Sequence, residues 1–552
     1  MNPTIHNPIL PGFHPDPSIC RAGDDYYIAN STFQWWPGVA ISHSRDLAHW
    51  ELVSYALTRR SQLEMDRIPD SGGIWAPCLS YNPEEKLFYL IYTVVNRHSV
   101  RSPIETPNFL VTARDVRGPW SEPVLLNYSG FDPSLFHDDD GRSWLVNMYM
   151  DDRPAQKLFF AGVLLQEYSK KRKQLVGPVR NIYLGTELGA TEGPHLFRRN
   201  GWYYLIVAEG GTGYGHAMTM ARSRKIAGPY VPHPGNPIMT ARTTQLPIQK
   251  AGHGQLVETP QGEWYGVYLC GRPRNGNYCI LGRETGIERG TWGRDGWFHF
   301  DSPHPRFEVP APEVAPTTAS KTIRQGEKGP AANSYAYGQK ERRDDFNRKK
   351  LGLEWNTPRI PLGDMGSLTA RPGFLRLRGQ PHPLETNRGQ ALVARRIEDR
   401  DFTASTLMEY RPGAGPVACA WQCAGLVCFY SHTNYYWLRV ARDEKLGIIV
   451  ELMKRHGETR SIEGRIPAGN WRRFHLRVTA RNDRFQFAAS RDGMSWKKTG
   501  APQDGNLLSD EASAPFGFSF TGAYVGMAAI DLSGARVAAD FDWFDYRRLE
   551  GK

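Results

Sequence analysis

A short phrase recurs five times at a spacing near 60 residues, and this recurrence constrains the fold more than any other feature of the chain. It appears as Asp16-Pro17-Ser18-Ile19, Ala76-Pro77-Cys78-Leu79, Asp132-Pro133-Ser134-Leu135, Glu192-Gly193-Pro194-His195-Leu196 and His253-Gly254-Gln255-Leu256. Starts at 16, 76, 132, 192 and 253 give spacings of 60, 56, 60 and 61. Each phrase leads through a turn into an aromatic strand, as in Asp24-Asp25-Tyr26-Tyr27-Ile28 and Gly201-Trp202-Tyr203-Tyr204-Leu205. A fixed period of strand–turn–strand units marks a repeat architecture, and propeller blades suit it. The opening residue runs Asp, Ala, Asp, Glu, His, which places three carboxylates and a histidine at equivalent positions of four units. A closed ring would aim them at its axis.

The second halves of the units also rhyme. Ser44-Arg45-Asp46-Leu47-Ala48-His49-Trp50, Ala113-Arg114-Asp115-Val116-Arg117-Gly118-Pro119-Trp120 and Gly228-Pro229-Tyr230 read as outer hairpins whose aromatic packs between neighbouring blades. Asp138-Asp139-Asp140-Gly141 reads as a solvated hairpin turn with no catalytic role. From about Pro303 to Arg343 the pattern dissolves into Pro310-Ala311-Pro312, Pro316-Thr317-Thr318 and Gly326-Glu327-Lys328-Gly329-Pro330, a linker composition. Alternation returns in Phe474-His475-Leu476-Arg477-Val478 and Arg484-Phe485-Gln486-Phe487-Ala488, and Ala538 to Phe544 closes the series. The expected fold is all-β: a five-bladed β-propeller over 1–302, a linker over 303–343, and a jelly-roll (concanavalin-like) β-sandwich over 344–552.

Composition narrows the function classes. At 552 residues the chain exceeds one compact core. Net charge is +11, yet the positive residues are dispersed apart from Lys170-Lys171-Arg172-Lys173 and Arg348-Lys349-Lys350, so no nucleic-acid partner is expected. No stretch approaches the roughly 18 apolar residues of a membrane span. The start, Met1-Asn2-Pro3-Thr4-Ile5-His6, lacks a basic and an apolar region, so a cytoplasmic location is expected. Seven cysteines without a CxxC pair read as reduced, mostly buried thiols.

Taken singly, an Asp before Pro is a common turn starter, and His253 reads as a hydrogen-bonded core residue. The conjunction carries more. Three acids gathered at one end of a channel repel one another, and some must have raised pKa values. Two carboxylates across a pocket are what glycosidic hydrolysis requires: one protonates the leaving oxygen, the other activates water or attacks carbon.

Gly12-Phe13-His14-Pro15-Asp16-Pro17-Ser18, Ser71-Gly72-Gly73-Ile74-Trp75-Ala76-Pro77, Gly130-Phe131-Asp132-Pro133-Ser134, Thr191-Glu192-Gly193-Pro194 and Gly282-Arg283-Glu284-Thr285 together resemble glycoside hydrolase family 43, in its β-xylosidase branch. The resemblance spans essentially the whole chain. It implies a five-bladed propeller and an inverting mechanism, with Asp16 as general base, Glu192 as general acid, and Asp132 orienting Glu192 and keeping its pKa high. It further implies substrate binding by Arg283, Trp75, Phe33, His253 and Phe520. His253 would stand at the channel centre beside a calcium ion held largely by water, which bond cleavage does not need. The sandwich would insert an aromatic loop from Phe516 to Tyr524 against the site, with Phe520 and Tyr524 as its aromatic options. His14 stands where many relatives carry Asn, and Gln34-Trp35-Trp36 where Glu-Trp-Phe is common; both are expected to flank the sugar pocket. The implied activity is an exo-acting β-1,4-xylosidase acting on xylooligosaccharides, in a chain that assembles as a dimer or tetramer. An α-L-arabinofuranosidase and a non-catalytic sugar-binding propeller are the alternatives.

Overall fold

The computed structural model describes residues 4–97, 104–151, 153, 159–274, 276–313, 334–414, 418 and 421–550. Regular structure is nearly all strand, and helix is limited to short turns such as Asp510–Ser513.

Five antiparallel sheets of four or five strands follow in chain order, each starting from its innermost strand: Ser18–Ala22, Gly73–Asn82, Ser134–His137, Glu192–Arg199 and Gln249–Glu258. The inner strands touch in that order, and the fifth returns to the first, so the ring is closed. Small polar groups seal the seams. Ser18 and the amide of Ile19 both donate to the Gln255 side chain across the closure, and the amide of Leu79 donates to Ser18 Oγ at 3.0 Å. Radial repetition leaves the outer strand of each blade as the sheet edge and packs the inner strands around the axis. The N-terminal strand Thr4–His6 pairs with Glu308–Pro310, and Leu10 bridges to Thr285, tying the chain start to blade 5.

The rhyming outer aromatics do pack between blades. Trp50 joins a cluster of blade 1 and blade 5 residues, Trp120 one of blades 1 and 2, and Tyr230 one of blades 3 and 4. Each polar tip finds a backbone carbonyl three or four residues upstream: Trp50 to Leu47, Trp120 to Val116, Tyr230 to Ile226. Satisfying the polar atom removes the desolvation cost of burying these three aromatics. The acidic turn departs from expectation. Asp138 is buried and accepts hydrogen bonds from Tyr203 Oη at 2.8 Å and Arg198 at 3.2 Å, so it pins blade 4 to blade 3; only Asp139 and Asp140 are exposed.

The region expected as a linker is partly built into both domains. Tyr335–Ala336 adds a fifth strand to blade 1, and Glu341–Asp344 pairs with the last strand of the sandwich, Ala538–Arg548. Pro316-Thr317-Thr318 and Gly326 to Pro330 lie outside the described residues. The sandwich stacks a six-stranded sheet containing Ala391–Arg396, Gln422–Ser431 and Tyr524–Asp531 on a nine-stranded sheet containing Phe402–Glu409, Arg473–Arg481 and Ala538–Arg548. Alternation puts Ala424, Leu426 and Cys428 into the core between the sheets. The opposite face, with Val427, Phe429 and Tyr524, packs on Phe13, Phe33 and Trp35 of the propeller. Five of the six described cysteines are buried, Cys20 is half-buried and all six are free thiols; Cys419 lies outside the described residues.

This interface absorbs the positions expected to flank the sugar. Trp35 stacks on Tyr524 at 3.8 Å, and the strand Trp35–Trp36 pairs with Thr357–Pro358. Gln34 accepts from the amide of Ser71, and its own carbonyl accepts from the amide of Arg359. The His14 ring lies edge-on to Tyr337 with Nε2 3.1 Å from its hydroxyl. Tyr524 is therefore a packing residue of the domain interface, since its alternation on the strand turns it to the propeller face.

Candidate active site

The structure corrects the register of the fourth repeat. Asp16, Ala76, Asp132, Gly193 and His253 each take the left-handed backbone conformation, with φ of +51°, +32°, +54°, +56° and +38°. These are the equivalent positions, at spacings of 60, 56, 61 and 60. Glu192 is one residue earlier, where the other blades carry Pro15, Trp75, Phe131 and Gly252. Glycine suits position 193, since its φ is left-handed and a Cβ would stand 3.0 Å from the His253 ring, forcing the ring to shift. The strand registers slip at these points in blades 2, 4 and 5, so each inner strand is kinked where it enters the site. Holding non-glycine residues in this conformation costs about 1–2 kcal/mol each, and such strain concentrates at functional sites.

The kinks bring Asp16, Asp132 and Glu192 together at the axis. Asp16 is presented with donors. Ser31 Oγ donates to Oδ2 at 2.6 Å while itself accepting the amide of Ala76 at 2.7 Å, and Arg283 Nη1 lies 3.2 Å from Oδ1. Asp132 accepts the amide of Gly193 at 3.0 Å, which fixes the peptide that carries Glu192. Burial, reinforced by the charge of Asp16, pushes the Glu192 carboxyl up to about 8, against a smaller opposing pull from Arg283. Burial and then the charges of Glu192 and Asp16 push Asp132 well above the usual carboxylate range. At neutral pH the cluster therefore holds at least one proton, because burial and the repulsion among these acids both oppose a third charge.

Arg283 is the hub between domains. Besides Asp16, it donates to Thr212 Oγ1 at 3.0 Å and, through Nε and Nη2, to the Phe520 carbonyl at 3.2 and 2.8 Å. Facing glycines permit this. A Cβ on Gly282 would fall 2.3 Å from the Thr521 carbonyl, and one on Gly522 2.6 Å from the Leu281 carbonyl. Two backbones can thus lie in contact, and the sandwich loop reaches the propeller site.

The aromatic residues cluster as a wall. Trp75 meets Phe33 at 5.8 Å, Phe131 at 5.4 Å and Phe520 at 5.7 Å, and the guanidinium of Arg283 lies between Phe33 and Phe520. Phe33 is fully buried beneath this wall, whereas Trp75 and Phe520 keep partial exposure. Ser71 ties the wall to the loop: its carbonyl accepts Trp75 Nε1 at 2.9 Å and its hydroxyl accepts the amide of Phe520 at 3.0 Å. Phe516 packs on His456 outside the wall.

His253 is buried against the Glu192–Gly193 peptide, with Nδ1 3.9 Å from Asp132 and the His195 ring 6.5 Å away. Burial lowers the pKa of His253 and pushes those of His195 and His216 to about 3, so all three are neutral at pH 7. Among the described residues no group of three or more His, Cys, Asp or Glu could hold a metal ion. A hard cation prefers oxygen ligands, and the protein donor His253 offers is an imidazole nitrogen. That donor set fits a protein-coordinated calcium poorly, and no step below depends on one.

Sequence reasoning missed Ser31, Thr212, Ser71 and Phe518, whose ring extends the wall 6.2 Å from Trp75 and 5.3 Å from Phe520. Ser71 precedes the Gly72-Gly73 pair of a quoted motif, and Phe518 lies within the expected aromatic loop; Ser31 and Thr212 carry no comparable signal.

A carboxyl kept protonated near neutral pH, gathered with two further acids at the axis of a closed propeller, is the acid arrangement a glycoside hydrolase needs. Comparison with known proteins agrees. The family model described as glycosyl hydrolases family 43 matches residues 5–298, and that of the beta xylosidase C-terminal concanavalin A-like domain matches 343–547. A xylosidase/arabinosidase 43B of Humicola insolens is 43% identical over 558 residues, covering 99% of this chain and 98% of its own. A xylan 1,3-beta-xylosidase of a Vibrio species is 39% identical over 566 residues and is covered to 99%, as is this chain. The crystal structure of a xylan beta-1,4-xylosidase from Bacillus halodurans C-125 superposes with a TM-score of 0.90 at 46% identity, covering 99% of this chain and 100% of that one. The chain belongs to glycoside hydrolase family 43, whose members act with inversion.

Proposed function

We propose that the chain is an exo-acting β-1,4-xylosidase that releases xylose from the ends of xylooligosaccharides. The observation that carries this reading is the asymmetry of the acids: Glu192 is held protonated near neutral pH, while Asp16 faces the donors Ser31 and Arg283. In this reading Asp16 accepts a proton from the attacking water as that water meets the anomeric carbon. Glu192 delivers its proton to the departing glycosidic oxygen. Asp132, hydrogen-bonded to Gly193, fixes the Glu192 peptide, while burial and the charge of Asp16 keep Glu192 neutral. Arg283, Trp75 and Phe520 bind the terminal sugar, and the Phe520 loop closes one end of the pocket, which favours cleavage from chain ends. His253 acts by packing.

Relatives divide on the linkage: the structural match at 46% identity is described as acting on β-1,4 xylan, the Vibrio relative on the 1,3 linkage. Release of xylose from xylobiose against 1,3-linked xylobiose decides it. A second reading, α-L-arabinofuranosidase activity in the same pocket, is favoured by the double name of the Humicola relative. Specificity constants on 4-nitrophenyl β-D-xyloside and α-L-arabinofuranoside separate the two. A propeller that only binds sugar has no use for three mutually repelling buried acids. For assembly we infer a homo-dimer or tetramer, which sedimentation equilibrium tests.

A further inference from the structure

We propose that Glu209 and Thr191 are positioning residues for Glu192, setting the direction in which its carboxyl delivers a proton. The proposal rests on the reading of Glu192 as general acid, and it assigns a task to a buried acid that the mechanism above leaves unused.

Glu209 ends the second strand of blade 4, Trp202–Glu209, and its preceding residue Ala208 is the cross-strand partner of Glu192. It is completely buried. Among the described residues no cation pairs with it; its carboxylate instead collects four donors. These are the amide of Thr186 at 2.6 Å, Thr186 Oγ1 at 2.8 Å, Thr191 Oγ1 at 2.9 Å and Thr219 Oγ1 at 2.7 Å. Three of the four belong to the segment that runs directly into Glu192.

A second feature shows that the loop is shaped around this carboxylate. Gly185 has φ +90°, and a Cβ there would fall 1.9 Å from Thr191 Oγ1 and 2.7 Å from Glu209 Oε1. Only glycine leaves the room. The amide of Gly210 donates to the Gly189 carbonyl at 2.8 Å, fastening the loop a second time. Left-handed residues Ala190 and Gly193 then bracket Thr191 and Glu192.

A buried anion without a cation is tolerated only when every donor is in place. This one therefore imposes a single geometry on residues 186–191. Thr191 is covalently adjacent to Glu192, so a loosened Thr191 lets the acid swing, while Trp75 of blade 2, Arg283 of blade 5 and Phe520 of the sandwich loop keep their places. Displacing a catalytic group by about 1 Å costs on the order of 10²-fold in rate. The loss should fall on proton delivery, the step that depends on the leaving group.

The test compares Thr191→Val, Thr191→Ser, Glu209→Gln and Glu192→Ala on xylobiose and on 2,4-dinitrophenyl β-D-xyloside, whose leaving group needs little protonation. Thr191→Val and Glu209→Gln should lose about tenfold or more in kcat on xylobiose and less than about threefold on the aryl xyloside, with KM little changed. Thr191→Ser, which keeps the hydroxyl, should stay close to the parent. Equal losses on both substrates, or no loss on either, would overturn the proposal. If Glu192→Ala shows the leaving-group dependence and Thr191→Val does not, only the positioning claim fails. If Glu192→Ala itself loses equally on both, the acid assignment fails and the positioning claim with it. Should Glu209→Gln not fold, Thr191→Val decides alone.

Discussion

Arg283 Nη1 stands 3.2 Å from an Asp16 oxygen while two other nitrogens of the same guanidinium donate to the Phe520 carbonyl. One side chain of blade 5 thus joins the proposed base of blade 1 to a loop of the sandwich. The C-terminal domain is in this way part of the site's geometry, since it sets the plane of the guanidinium that Asp16 meets.

Arg283→Lys tests that role. A lysine ammonium keeps the charge but cannot span three acceptors in one plane. With hydrogen bonds to charged groups contributing about 1.5–3 kcal/mol each, kcat/KM on xylobiose should fall on the order of 10²-fold. A fall below about threefold would show that charge alone suffices.

The protonated state of Glu192 predicts the alkaline limb of the pH profile. The acid works only while it holds its proton, so kcat/KM on xylobiose, which reports the free enzyme, should decline as pH rises through about 8. Glu192→Ala should abolish that limb and spare activated aryl xylosides most. A wild-type profile on xylobiose that stays flat through pH 9.5 would remove Glu192 as acid.

Asp16→Ala should behave differently from Glu192→Ala. Water must be activated whatever the leaving group, so both xylobiose and aryl xylosides should lose about 10³-fold or more in kcat. Substantial turnover of the aryl substrate would exclude Asp16 as the base.

Much of this arrangement is visible in the sequence because the repeated phrase is itself the structural device: a left-handed residue, a short inner strand and an aromatic second strand. The fourth repeat shows where pattern alone misleads. Aligned on its acid, it puts Glu192 in register with Asp16; aligned on Pro194, it puts Gly193 there, and the φ of +56° at Gly193 supports the second. Glycine at a left-handed position was the available signal. Residues such as Ser31, Thr212 and Glu209 act through contacts tens of residues away or more, such as the Arg283–Thr212 bond, or through hydroxyls that any strand can carry. His14 and Gln34 act one step behind the wall: the His14 ring meets Tyr337, and the Gln34 side chain accepts the amide of Ser71, which holds Trp75 and the Phe520 loop.

That interface contains the most deeply buried ion pair among the described residues. Asp70 pairs with Arg359 of the sandwich and accepts both the amide of His432 at 2.6 Å and its Nδ1 at 2.7 Å. Burial alone would raise the Asp70 carboxyl, but Arg359 and His432 outweigh it and hold it well below the usual range. Burial likewise opposes the charge of His432, and Asp70 raises it above its ordinary value. The sign follows from linkage. The Asp70 contribution is present above about pH 3.9 and is lost as pH falls through its depressed value; the His432 contribution is present below about pH 6.5 and is lost as pH rises through its raised one.

Asp70→Asn leaves the Arg359 guanidinium buried without its partner charge and should destabilise the protein by about 3–5 kcal/mol. Thermal unfolding at pH 5–6 checks it, where both contributions are present, and the gap to the parent should narrow on acidification below about pH 4. Equal melting temperatures at pH 5.5 would show that the pair does not hold the domains together.

The most direct test of the central claim is proton NMR of xylobiose mixed with the purified protein, followed from the earliest anomeric signals. Inversion by Asp16 and Glu192 predicts that α-xylose appears first and equilibrates to the β anomer only by mutarotation. Initial release of β-xylose, or xylobiose that stays intact, would contradict the account.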